Sequence, residues 1–94
     1  MIDAEKVRER KKLRLDILGE LYQIWFSGEE NNMLFGSKED IYQKRNTERH
    51  LAFHFMFEMG FIHISPMGGK GMDEKLSISI TAKGIDFLES NLEE

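Results

Sequence analysis

Five residues in the middle of the chain, Gly60-Phe61-Ile62-His63-Ile64, constrain its fold more than any others. Before them, an apolar pattern with helical spacing stops at a glycine. After them, across a glycine-rich gap, comes Leu76-Ser77-Ile78-Ser79-Ile80-Thr81-Ala82-Lys83-Gly84-Ile85-Asp86-Phe87-Leu88-Glu89. Apolar and polar residues alternate on both sides of the gap, which reads as two short strands with one face on a core and one in water. Gly60 suits the left-handed residue that ends a helix, because it has no Cβ to clash there. Thr81 suits an N-cap, since its hydroxyl can accept from an N–H that the first helical turn leaves unpaired. The predicted order is a helix, a β-hairpin and a closing helix that buries Ile85, Leu88 and Leu92, with Phe87 on its flank.

Upstream, Asp3 can cap a first helix that runs to Phe26, with Ser27-Gly28 as its stop. Leu13, Ile17, Leu18, Leu21, Ile24 and Trp25 recur at spacings of three and four and so form one face, whereas between Glu5 and Leu13 only Val7 is apolar. A helix of about 23 residues is roughly 35 Å long, more than a domain of this size needs for packing. Residues 1–12 are therefore expected to project as a basic helical extension. The polar loop 28–36 has an apolar tip, Met33-Leu34-Phe35, which suits a small strand. Ser37-Lys38-Glu39-Asp40 is a Ser-x-x-Asp capping signal for a short helix that turns Ile41 and Tyr42 inward.

A third helix is predicted over residues 47–59. Placing its residues at 100° steps puts Thr47, His50, His54 and Glu58 in one wedge, with Leu51, Ala52, Phe53, Phe55, Met56, Phe57 and Met59 over about two-thirds of the circumference. That is more than one core absorbs, so either the long first helix wraps it or part of this surface meets another subunit. Arg49 and Asn46 fall on the apolar side, where a long side chain can reach outward.

Composition bounds the rest. Ninety-four residues, 40% apolar and 11% aromatic, suffice for one folded domain over 1–94 and exclude a disordered chain. Without cysteine there is neither a disulfide framework nor a thiolate metal site. No apolar run approaches the roughly 20 residues that span a bilayer, and Met1-Ile2-Asp3-Ala4-Glu5 lacks the charged-then-apolar order of a signal peptide. A soluble, cytoplasmic protein with no membrane partner is expected. The net charge of −4 weighs against a nucleic-acid partner, because duplex binding is dominated by phosphate neutralisation. The distribution is uneven, however. Residues 6–14 carry Lys6, Arg8, Arg10, Lys11, Lys12 and Arg14 against Glu9 alone, while the charged residues of the last nine, Asp86, Glu89, Glu93 and Glu94, are all acidic.

Gly60-Phe61-Ile62 and Ile80-Thr81-Ala82-Lys83-Gly84-Ile85-Asp86-Phe87-Leu88 resemble the C-terminal half of winged helix-turn-helix domains of bacterial and archaeal transcription regulators. Those families often end the recognition helix in Gly-Leu-Ile and close the wing with Leu-Thr-x-x-Gly-x-x-x-Leu. The resemblance is best over residues 47–89 and looser over 13–46. It implies an α+β fold, a winged helix-turn-helix with a long N-terminal helix, a two-stranded β-hairpin wing and a C-terminal helix. It also implies a DNA-binding regulator of transcription. Lys44, Arg45, Asn46, Thr47, Arg49, His50 and His54, around the start and outer wedge of the recognition helix, and Lys70 at the wing tip would then contact double-stranded DNA. Glu48 and Glu58 stand against this, since they would repel phosphates.

The competing reading is a winged-helix adaptor that binds protein and no DNA. The acidic total, the apolar third helix and the Met33-Leu34-Phe35 tip suit it, as do six methionines, which fill cores equally well. Self-association as a homodimer is expected in either case, with basic residues 6–14 beside acidic residues 86–94 of the other subunit. His50, His54 and Glu58 share a helical face and raise the question of a metal, although spacing alone is weak evidence for one. Catalysis has no support. There is no Gly-x-Ser-x-Gly elbow or His-Glu-x-x-His motif, and Gly68-Gly69-Lys70-Gly71 lacks the frame of a phosphate-binding loop. No enzyme activity, catalytic residue or cofactor is predicted.

Overall fold

The computed structural model describes residues 1–28, 32–42 and 47–92. Among them are four α-helices and a three-stranded antiparallel sheet, so the chain is an α+β domain. The elements run α1 (Ala4–Trp25), β1 (Leu34–Ser37), α2 (Lys38–Tyr42), α3 (Glu48–Glu58), β2 (Ile62–Gly68), β3 (Lys75–Ile80) and α4 (Ala82–Ser90), with a 3₁₀ turn, Gly71–Asp73, between β2 and β3.

Short polar side chains set most of the boundaries. Asp3 accepts from Glu5 N–H at 2.9 Å and opens α1, while Ser37 accepts from Asp40 N–H at 3.1 Å in the first turn of α2. Thr47 accepts from His50 N–H at 3.2 Å and opens α3. At the other end of α3, Gly60 adopts φ 80°. Its N–H donates to the Phe57 carbonyl and that of Phe61 to the Met56 carbonyl, at 3.0 and 2.9 Å, the paired reverse bonds that close a helix through a left-handed glycine.

The start of α4 is built on that stop. Thr81 N–H donates to the Phe61 carbonyl at 3.0 Å, and the Thr81 hydroxyl donates to the Gly60 carbonyl at 2.6 Å while accepting from Gly84 N–H at 3.0 Å. The end of α3 and the beginning of α4 are thus one hydrogen-bonded knot. Thr81→Ala removes the cap and the bridge together, and should cost about 1–2 kcal/mol. The urea midpoint checks this, and an unchanged midpoint would show that the hydroxyl holds neither helix.

β3 is the central strand, in the order β1-β3-β2. The hairpin, with Ile62 opposite Ile80 and Ile64 opposite Ile78, has the predicted alternation. The sheet extends beyond this hairpin, because Leu34–Ser37 pairs with the free edge of β3, Leu34 opposite Ile78 and Gly36 opposite Leu76. Ser77, expected in water, is buried as well, since its flanking register partners Phe35 and Ser65 lie on either side of it.

Ile17, Leu18 and Leu21 of α1, Ile41 of α2, Phe53 and Met56 of α3, Leu76, Ile78 and Ile80 of β3, and Leu88 of α4 form one core. Leu92, expected inside, is 57% exposed. The reason is that α4 stops at Ser90 and Asn91 takes the C-cap, its N–H bonded to the Leu88 carbonyl, so the helical phase that would bring Leu92 inward is lost. Phe87 flanks the core as expected and stacks on Phe61, ring centroids 4.4 Å apart and planes 18° apart. Among the described residues no helix is long and apolar enough to cross a membrane.

Candidate functional site

α3 buries Ala52, Phe53 and Met56 and turns the opposite side outward. His54 and Glu58 lie on that side, their side chains 3.3 Å apart and both exposed. The side chains around them are apolar: Leu51 and Phe57 are each 48% exposed, Met59 42% and Phe55 40%. Four large hydrophobic residues on an 11-residue helix and its C-cap are far from satisfied by the core.

The candidate DNA contacts fare unevenly. Lys44, Arg45 and Asn46 lie outside the described residues. The Thr47 hydroxyl donates to the Tyr42 carbonyl at 3.2 Å, besides capping His50. Arg49, expected to reach outward, instead donates from Nε to the Ile41 carbonyl and lies over the Phe53 ring, 5.2 Å from its centroid. Its guanidinium therefore ties α3 to α2. The His50 ring packs against Tyr42 at 4.9 Å. His54 and Lys70 are exposed, Lys70 just before the 3₁₀ turn of the hairpin. The structure thus brings Thr47, Arg49 and His50 together at the α2–α3 junction, with His54 further along the outer face and Lys70 on a separate element. Among the described residues no three His, Cys, Asp or Glu side chains are grouped to hold a metal ion, so His50, His54 and Glu58 do not form a ligand set.

Sequence reasoning missed the partner of Glu48. Arg10 of α1 meets it in two parallel bonds, Nε to Oε1 at 2.9 Å and Nη2 to Oε2 at 3.0 Å. The basic helix is thereby docked on the first turn of α3 at Arg10. The hydrogen bonds from Arg10 are the main cause that holds the Glu48 carboxyl below its ordinary range, its charge adding to them against an opposing desolvation. Because the folded carboxylate is the favoured form, the contribution of this pair is present at neutral pH and lost as pH falls through the carboxylate range. One turn along, the Arg14 guanidinium lies 4.0 Å from the centroid of the Phe55 ring. An Arg at i and i+4 on a basic helix was the available signal, but nothing local names the carboxylate and ring it meets.

Compared with known proteins, the chain matches no family model, no curated protein and no solved structure.

Proposed function

We propose that this chain is a winged-helix module that works by binding protein, a second copy of itself first, through the outer face of α3. The order α1-β1-α2-α3-β2-β3-α4 and the Thr81-x-x-Gly84 knot support the winged-helix part of this reading. The observation that carries the rest is the half-exposure of Leu51, Phe55, Phe57 and Met59 on a helix whose one arginine is tied inward. Covering a half-exposed large side chain yields roughly half of the ~1.5–3 kcal/mol that full burial gives, so four yield about 3–6 kcal/mol. In a two-fold dimer the same patch is covered on both copies, which doubles that to about 6–12 kcal/mol, comparable with the ~4–15 kcal/mol cost of association. Gain and cost are of similar size, so a homodimer whose population depends on protein concentration is expected.

A specific observation favours a second reading, a DNA-binding regulator of transcription. Arg10 neutralises Glu48, removing one of the carboxylates that would repel phosphate at the start of α3, and Lys70 and Lys75 are exposed on the hairpin that would serve as the wing.

Sedimentation at micromolar concentration, together with binding to a generic duplex at about 50 mM salt, separates the two. The expected result is a dimer that Leu51→Asp converts to a folded monomer, and no duplex affinity. A monomer at all concentrations that binds duplex, with a log–log salt slope near −0.9 per neutralised phosphate, would replace the first reading by the second. Lys70→Ala should then flatten the slope by about one.

A further inference from the structure

We propose that the hollow between α1, α3 and α4 is a binding site for a small amphipathic carboxylate, a medium-length hydrocarbon acid whose tail lies between the helices and whose carboxylate meets Lys11 and Arg14. The hollow shares Phe55 and Met59 with the face proposed above for self-association. The hollow has a volume of about 300 Å³, at the small end of the roughly 300–1,000 Å³ of ligand sites. Its walls are apolar: Leu15 and Leu18 on α1, Met56 and Met59 at the end of α3, and the stacked pair Phe61 and Phe87. Two methionines give a wall that can adapt to a flexible chain.

The charge at the mouth selects the head group. Lys11 and Arg14 line the hollow and, among the described residues, no carboxylate does, in a chain with 17 acidic residues against 13 basic ones. Three of the neighbouring cations are already paired: Lys6 with Glu9, Arg10 with Glu48 and Lys12 with Asp16. Lys11 has no ion pair among the described residues. Arg14 is held in place without being neutralised, since its Nε donates to the Arg10 carbonyl at 3.2 Å and its guanidinium lies over Phe55. Two cations one helical turn apart, facing an apolar cleft, match a carboxylate on a hydrocarbon tail and oppose an amine on the same tail.

Octanoate and octylamine are the probes, because they share a tail length and differ in the sign of the head. In amide chemical-shift titrations up to about 10 mM, octanoate should give saturable shifts in α1, α3 and α4. Octylamine should bind at least about tenfold more weakly, a difference of about 1.4 kcal/mol. Lys11→Glu, at an exposed position that leaves the core intact, should reverse that order, whereas Lys70→Glu on the hairpin should not change it. The titration is repeated on Leu51→Asp, so that self-association cannot cover Phe55 or Met59 at the mouth. An absence of saturable shifts in both proteins, equal binding of the two probes, or indifference to Lys11→Glu would each overturn the proposal. Vesicles containing an anionic phospholipid form a further arm. No co-sedimentation is expected, and co-sedimentation lost in Lys11→Glu would assign the cations to a lipid surface and sink the free-acid site.

Discussion

Gly84→Ala is expected to destabilise the domain by about 3 kcal/mol or more, the upper end of what overpacking costs. Helix propensity points the other way, since alanine in a helix is favoured over glycine by about 0.8–1 kcal/mol. Geometry decides the sign. A Cβ on Gly84 would stand 2.1 Å from the Phe61 carbonyl oxygen, 3.0 Å from its carbon and 2.9 Å from Ile80 Cγ1. The nearest atom is backbone, and it cannot retreat freely because it accepts the Thr81 N–H that begins α4. Relief therefore requires α4 to lift off the knot. Gly19→Ala in α1 is the matched control, because nothing lies within 4 Å of its added Cβ. It should stabilise by about 0.5–1 kcal/mol through propensity alone. Urea denaturation of the two variants gives the answer. If both shift the midpoint upward, α4 does not rest on the Phe61 carbonyl, and the close contact that explains the Thr-x-x-Gly spacing is wrong.

The parts of this fold that were legible in the sequence are those fixed by local backbone demands. Asp3, Ser37, Thr47 and Thr81 cap because a short oxygen acceptor next to a helical run has few other uses. Gly60 reads as a stop for the same kind of reason, and the alternation of Ile62 and Ile64 sets the buried face of the hairpin. Legibility ended where a residue's environment is supplied by distant chain. Arg10 and Glu48 are 38 residues apart, and only the crossing of α1 over α3 makes them a pair. β1 pairs with β3 across about 40 residues, from Ser37 with Lys75 to Leu34 with Ile78, making the expected two-stranded hairpin the larger part of a three-stranded sheet. In the candidate site, helical periodicity correctly separated Phe53 from His54, but it could not say that Arg49 would find the Ile41 carbonyl. That contact depends on where α2 sits. Charge placed by sequence alone is thus a poorer guide to an exposed cation than apolar spacing is to a buried ring.

Phe53→Ala should cost roughly 3–5 kcal/mol, while the adjacent His54→Ala should stay within about 0.5 kcal/mol. Phe53 is fully buried, its ring 5.4 Å from that of Tyr42 and beneath the Arg49 guanidinium, so truncation opens a cavity under α2 and removes the surface on which Arg49 rests. For a domain of this size each kcal/mol shifts the melting temperature by about 4–8 °C, which puts the loss in the range of roughly 12–40 °C. Thermal melts followed by circular dichroism resolve it from the near-silent neighbour. The pair also bears on function, because one rotation of α3 fixes both its buried and its outward residues. With Phe53 inside, Leu51 and Phe55, each two residues away and so about 160° round the helix from it, cannot also be absorbed by the core, and their exposure needs a partner. Equal effects of the two substitutions would mean that α3 is turned by about one residue, some 100°, from its described setting. The apolar face would then point elsewhere, and the protein-binding reading would lose the observation that carries it.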